Sequence, residues 1–358
     1  MHPNVKQRET IPAVERVRAA KEALGSSVVV LGHHYQTDDV IQFADFRGDS
    51  LKLARQAANT PEARAIVFCG VHFMAETASI LAQPDQTVLL PDREAGCFLA
   101  DMAARPHVEE AWAALGELMD VEHEVTPVTY VNSAANLKAF CGEHGGVVCT
   151  SSNADRVLQW ALERRPRVLF FPDQHLGRNT AKKMGVLLDK TLIWNPSRPN
   201  GGHTADALDQ AQIYLWRGWC NVHRCFKPEH VRDWRRRDPD VRVIVHPECE
   251  MAVVDLADEA GSTAYIIQRI EESPPGTHWA VGTESDLVNR LQKSHPEQLV
   301  ASLSPEPIFC RTMNRVTVEK LARVLEGLVV GKMVNPISVP DGVARHARVA
   351  LERMLEVS

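Results

Sequence analysis

The sequence predicts an α/β protein made of three related units, each a parallel sheet flanked by helices. Short runs rich in Val, Ile and Leu alternate with longer amphipathic stretches, as expected of parallel strands joined by crossover helices. The runs fall into three groups of three, with polar residues at their carboxyl ends. The distance from His33 to Cys97, 64 positions, is also the distance from His246 to Cys310.

In chain order, the first group is SVVVLGHHY, RAIVFCGVHF and TVLLPD. The second is VTYVNS, GVVCTSSN and RVLFFPD, and the third VRVIVHPE, AYIIQRI and WAVGTES. Each run reads as a strand because it is short, β-branched and bounded by turn residues. The leading strands end in His33-His34-Tyr35, in Tyr130-Val131-Asn132-Ser133 and in His246-Pro247-Glu248. The third strands end in PDRE, PDQH and GTES, and a cysteine follows each. From Asn132 to Cys220 the middle group takes 88 positions. Its excess of about 24 coincides with WNPSRPNGGHTADALDQ, a Pro/Gly-rich stretch expected to be an inserted loop near 194–212. A repeat this long indicates related domains rather than a solenoid. The expected domains are 15–118 with Cys97, 119–222 with the insertion and Cys220, and 223–330 with Cys310. A tail, 331–358, ends in an amphipathic helix expected to pack on a domain face. Ligands of open parallel sheets bind beyond the carboxyl ends of the strands. Three such ends on a pseudo-threefold axis would therefore share one central site.

Composition narrows the function. The chain has 358 residues, 44% apolar and 24% charged, within the range of globular proteins. A net charge of -6 gives no electrostatic case for nucleic acid or a membrane surface. The one basic run, VRDWRRRDPDVR at 231–242, carries interspersed aspartates and reads as a solvated helix end. No apolar run approaches the roughly 20 residues that span a bilayer. The charged N-terminal stretch has no apolar core of a secretory signal, so a cytoplasmic location is expected.

Eight cysteines in such a chain are not expected to form a disulfide framework. Cys69 and Cys149 lie in apolar runs and read as core thiols, and Cys249 as a packing thiol. Cys97, Cys220 and Cys310 follow turn-like polar stretches instead. They lack CxxC pairing, so structural zinc spacing is absent. Two readings stay open on spacing alone. Three lone thiolates suit a 4Fe-4S cluster with one iron free of protein, or they are unrelated loop thiols. WRGWCNVHRCF offers a rival, a zinc site of Cys220, His223 and Cys225 in a hydrolase or lyase. A redox-sensing iron–sulfur protein without catalysis is another.

Many separate motifs, in order from about residue 25 to 330, carry a family resemblance. GHHYQTDDVIQFADFRGDSLKLAR, GVHFMAETASIL, LLPDREAGC, TYVNSAA, CTSSNA, FFPDQHLGRN, HPECEMAVVDLADEAGSTAYII, VGTE and CRTMNRVTVEKL together resemble bacterial quinolinate synthase. No GxGxxG fingerprint competes with it. The resemblance implies three pseudo-symmetric αβα domains with parallel sheets around a central iron–sulfur active site. It implies a transferase that condenses iminoaspartate with dihydroxyacetone phosphate, giving quinolinate, phosphate and water on the route to NAD. One 4Fe-4S cluster per chain would be held by Cys97, Cys220 and Cys310, its open iron acting as a Lewis acid in dehydration. An aspartate-oxidising enzyme would supply the iminoaspartate.

By motif, Glu248 is expected as general base, His33 and Tyr35 as groups handling the triose hydroxyls, and His246 as a substrate-orienting neighbour. Tyr130 and Asn132 are expected to hold a substrate carboxylate. Ser50, Ser151 and Thr263 are expected to donate hydroxyls to carboxylate or phosphate at helix starts, where free N–H groups favour anions. His34 is expected to be structural. Met74 and Glu76 are expected to shape the cavity from a helix start, with a helix-dipole role and catalysis both open for Glu76.

Overall fold

The structure, a computed structural model, describes residues 11–357. Residues 1–10, the start of the stretch read as lacking a secretory signal, lie outside that range. The first sheet uses β1 (Val28–His33), β2 (Phe46–Gly48), β3 (Ala65–Cys69) and β4 (Thr87–Leu89). The second uses β5 (Val125–Tyr130), β6 (Val147–Cys149), β7 (Arg167–Phe171), β8 (Thr191–Trp194) and β9 (Ile213–Trp216). The third uses β10 (Arg242–Val245), β11 (Glu259–Ala260), β12 (His278–Gly282) and β13 (Leu299–Ser302), and β14 (Pro336–Ile337) returns to the first.

One strand order appears three times: β2-β1-β3-β4, β6-β5-β7-β9 and β11-β10-β12-β13. All these pairings are parallel. Each chain run therefore turns outward after its first strand and crosses back for the third, which opens a crevice at the carboxyl ends. Every residue of β1 and β5 is buried, because helices cover both faces of each sheet. That explains why β1 reads as a continuous apolar run rather than an alternating one.

The repeat thus has four strands per unit, where the sequence suggests three. The reading of AYIIQRI as a strand is wrong: Thr263–Glu271 is a helix, capped by the Ser262 side chain on the Tyr265 amide. Its buried residues, Thr263, Ile266 and Ile270, follow helical spacing, and the β-branched isoleucines only mimic a strand. The second strand there is the two-residue β11, while GVVCTSSN is a true second strand and RAIVFCGVHF a third. The cysteines follow the fourth strands, β4, β9 and β13. Short strands such as IYLW and LVAS had too little pattern to announce themselves.

The insertion is more ordered than a loop. It starts at the end of the edge strand β8, which is parallel to β9, and includes a short helix, Ala205–Gln210. Residues Trp194 to Asn200 lie against the helix Arg105–Gly116. The tail does two jobs. β14 pairs antiparallel with β4, and the helix Asp341–Val357 packs on the helix Ala135–Glu143 of the second sheet. Gly142 makes that second contact possible, since a Cβ there would collide with the His346 carbonyl. The first and third units are joined by the helices Ala13–Leu24 and Val318–Val329, with Arg16 Nε 2.7 Å from Glu326 Oε1. In the basic run, Arg232, Arg235 and Arg236 pair with Glu229, Asp258 and Asp233. Among the described residues no helix is long and apolar enough to cross a membrane.

Candidate active site

The ends of the three leading strands carry matched residues two positions apart. Tyr35 donates its amide to its neighbour His33 Nδ1 at 3.1 Å, and Glu248 donates to His246 Nδ1 at 3.3 Å. The His34 amide binds the last carbonyl of β2, and the Val131 amide binds the last carbonyl of β6. Tyr130 is therefore the middle counterpart of His33, and Asn132 that of Tyr35; the spacing count taken from Asn132 was two residues out of register. Beyond the second strands come Ser50, Ser151 and Thr263. Ser50 and Thr263 open helices capped by the Asp49 and Ser262 side chains. Ser151 lies in the turn before the helix Ala154–Arg164, while the neighbouring Ser152 hydroxyl binds Asp49 at 2.7 Å.

A third matched set follows the fourth strands. Each of Cys97, Cys220 and Cys310 leads into one turn of 3₁₀ helix that starts three residues on: Ala100–Met102, His223–Cys225 and Met313–Arg315. In all three the sulfur receives the backbone amide at that starting residue. Two residues before each cysteine, the carbonyls of Ala95, Gly218 and Ile308 accept amides from His72, Gln174 and Ser285, at 2.8, 3.0 and 2.9 Å. Gly218 runs so close to the Pro172 carbonyl that no Cβ fits. This clasp ties each cysteine loop to the helix after the third strand. In two units a buried acid strengthens it. Glu284 Oε1 accepts the Cys310 amide at 3.4 Å while Oε2 caps the Asp286 and Leu287 amides. Asp173 caps His175 and Leu176 at 2.8 Å and faces the Cys220 amide. Val71 stands at the matching place in the first unit.

All three sets line one cavity of about 620 Å³, bounded by His33, Tyr35, Ser50, Cys97, Tyr130, Asn132, Ser151, Cys220, His246, Glu248, Thr263 and Cys310. The structure thus brings together every residue the motifs assign to substrate or cluster. Met74 lines the cavity as expected. Glu76 does not: it turns away to accept the Ala135 amide at 3.0 Å, capping the helix of the neighbouring unit, and lies 3.6 Å from His72. The insertion lines neither this cavity nor the groove of about 1260 Å³ on the outer side of the three cysteines. Cys225 is exposed, so the C-x2-H-x-C motif does not close on itself.

The sequence raises His223 only as a ligand of the rival zinc site, and the structure makes it central to the cavity. Its ring stacks on His246 with centroids 4.2 Å apart, and its Nδ1 lies 3.3 Å from Glu248 Oε2. Its Nε2 lies 3.3 Å from Thr283 Oγ1 and 3.5 Å from the Tyr35 hydroxyl. The signal was present: His223 occupies the third position after its cysteine, as Ala100 and Met313 do. Thr283, part of the VGTE motif but given no role there, also lies 2.8 Å from the Tyr35 hydroxyl, and Thr263 Oγ1 3.0 Å. Arg290 binds the carbonyls of His34 and Gln36, anchoring the half-buried His34 loop to the third unit.

Electrostatics follow from burial. Desolvation drives the His33 and His246 imidazoles down to about 3, so both are neutral at ordinary pH. Desolvation raises the Tyr35 and Tyr130 hydroxyls, the Glu248 charge adding to both. Burial works against the Glu248 charge, but His223, His246 and the Tyr130 hydroxyl, which donates to Oε1 at 2.6 Å, outweigh it and hold the carboxyl below its usual range. Burial pushes the Cys97 thiol up to about 12, the nearby Cys310 adding to the shift, and raises Cys220 and Cys310. Three converging thiols of this kind call for a bound cation to become thiolates.

A three-unit α/β protein with one buried polar cavity, a carboxylate beside neutral histidines, and thiols from every unit is built as an enzyme with a shared central active site. Comparison with known proteins agrees. The family model for quinolinate synthetase A protein matches residues 15–356. A quinolinate synthase of Herpetosiphon aurantiacus is 54% identical over 96% of this chain and 92% of its own length. The enzymes of Corynebacterium glutamicum and Rhodopirellula baltica are 54% and 51% identical over 96% of this chain, covering 86% and 90% of their own lengths. The chain belongs to the quinolinate synthetase A family.

Proposed function

We propose that this chain makes quinolinate, condensing iminoaspartate with dihydroxyacetone phosphate and releasing phosphate and water. The observation that carries the reading is the meeting in one buried cavity of all twelve motif residues, drawn from three units of chain. In this reading one 4Fe-4S cluster is held by Cys97, Cys220 and Cys310. The donor set fits the group: three soft thiols without CxxC pairing converge, each with a backbone amide aimed at sulfur. When bound, such a cluster supplies an iron without a protein ligand, a Lewis acid for a hydroxyl or carboxylate.

The chain's own groups divide the remaining work. Ser50 and Thr263, at helix N-termini, and Ser151 receive carboxylate or phosphate oxygens. Asn132 Oδ1 is buried without a protein donor, which keeps an acceptor for a substrate N–H or O–H. Glu248, ionised and steadied by Tyr130, takes protons from C3 of iminoaspartate and its successors. Tyr35, held protonated at rest, gives its proton to an intermediate and is reprotonated through Thr263, Thr283 or His223, all of which it touches. Neutral His33 and His246 orient hydroxyls without adding charge. Burial excludes water from anionic intermediates. The same reading divides the chain at 15–118, 119–222, 223–330 and 331–358, and puts the protein in the cytoplasm beside an aspartate-oxidising enzyme.

The test is anaerobic reconstitution with iron and sulfide, followed by both substrates. Quinolinate should form, and its absence from a fully loaded sample would refute the reading. Cys97→Ala, Cys220→Ala and Cys310→Ala should each fail to retain about four irons per chain, while Cys225→Ala retains them.

A further inference from the structure

His223, Glu248 and Cys220 meet in a second way. One ligand atom from each, a ring nitrogen, a carboxylate oxygen and Sγ, lie within 4.8 Å of one another. His223 and Glu248 are almost wholly buried, with side chains 2% and 3% exposed. The 3.3 Å between His223 Nδ1 and Glu248 Oε2 is close to a ligand–ligand edge in a tetrahedral site with bonds of about 2.0–2.3 Å. The atoms behind these ligands are already disposed as a metal site needs. With Nδ1 given to an ion, Nε2–H is left to donate to Thr283 Oγ1 at 3.3 Å, which fixes the ring and its tautomer. With Oε2 given to the ion, Oε1 still accepts the Tyr130 hydroxyl at 2.6 Å. The His223 amide supports the Cys220 sulfur. A thiolate, a carboxylate and a neutral imidazole carry two negative charges, matching a divalent ion. Cys225 is no part of the set, since its Sγ turns outward to the Asn221 carbonyl at 3.1 Å.

We propose that the cluster-free protein binds one divalent transition ion of the zinc type through Cys220, His223 and Glu248, with a fourth position open to the cavity. Zinc outranks ferrous iron for such a mixed S, N, O set. Binding displaces the Cys220 proton and forms one metal–sulfur, one metal–nitrogen and one metal–oxygen bond, with no change of oxidation state. A corollary rests on the cluster reading above: because Cys220 is shared, the ion and the cluster exclude each other, and zinc blocks cluster assembly.

Cobalt(II) is the probe. Titrated anaerobically into cluster-free protein, one equivalent should give tetrahedral d–d bands and a thiolate-to-cobalt charge-transfer band, both abolished by one equivalent of zinc. Cys220→Ala should lose the charge-transfer band. His223→Ala and Glu248→Gln should weaken binding at least roughly tenfold, as should Thr283→Val behind the histidine. Glu248→Gln preserves shape, so its loss reports a ligand rather than the fold. Cys97→Ala and Cys310→Ala should bind cobalt as the parent does while failing to form iron–sulfur absorbance. That contrast separates the two sites: failure of every sample to build a cluster sinks the cluster reading and leaves the ion site standing. A cobalt spectrum that requires Cys97 or Cys310, or that persists unchanged in Glu248→Gln and His223→Ala, overturns the proposal. Zinc-loaded protein that takes up iron and sulfide as readily as zinc-free protein overturns the exclusion.

Discussion

Glu248 and Tyr35 stand at equivalent places in two units, two residues beyond a histidine that accepts their amide, yet one is an acid held ionised and the other a phenol held neutral. The environment sets each state, and both are testable. Glu248→Gln keeps the Tyr130 contact and the cavity's shape but removes the base; kcat should fall roughly 100-fold or more with iron content unchanged, measured by quinolinate formation. The buried histidines predict an acid limb of stability. Unfolded, His33 and His246 take up protons near pH 6.5, but folded only near pH 3. Their contribution is therefore complete above pH 6.5 and is lost as pH falls through the window down to about 3. At about 1.4 kcal/mol per pH unit and group, the two together cost about 4 kcal/mol between pH 6.5 and 5. Urea midpoints at pH 7 and pH 5 measure it, and equal midpoints would contradict the burial argument.

Elements decide how much could be read from the chain. The five- and six-residue strands β1, β3, β7 and β12 were legible because continuous apolar runs have few other uses. β2, β9, β11 and β13 were not, having two to four residues each, too few for a period. The motif residues were legible as a set, since each sits at a strand end with its neighbours in fixed order. His223 and Thr283 were not, because their part depends on rings and hydroxyls that meet only when two units close on each other. The clasp was equally hidden, although its logic is simple: a cysteine loop is pinned by one carbonyl and, in two units, by a buried acid. Glu284→Ala removes both the cap on the helix Ser285–Ser294 and the acceptor for the Cys310 amide. It should cost about 1–2 kcal/mol, visible as a lower Tm, and speed iron release to a chelator. Asp173→Ala should do the same at Cys220, through the helix Gln174–Lys183. Iron release at the parent's rate in both variants would remove the acids from this role.

At the scale of the whole molecule, three units are held in register by the first helix and by the tail. The Ala13–Leu24 helix bridges to the third unit, and the tail gives a strand to the first unit and a helix to the second. Gly142→Val should push the tail helix from its seat, lowering Tm and exposing residues 331–340 to limited proteolysis, while Cys97, Cys220 and Cys310 are untouched. The pairing of β14 with β4 also imposes an order in time. Ribosomes add about 5–20 residues per second, so roughly 10–50 s pass between the emergence of β4 and that of its partner, about 250 residues later. Through that interval the nascent first sheet shows an unpaired edge that another chain could join. A segment synthesised after all three cysteines thus closes the sheet that was made first.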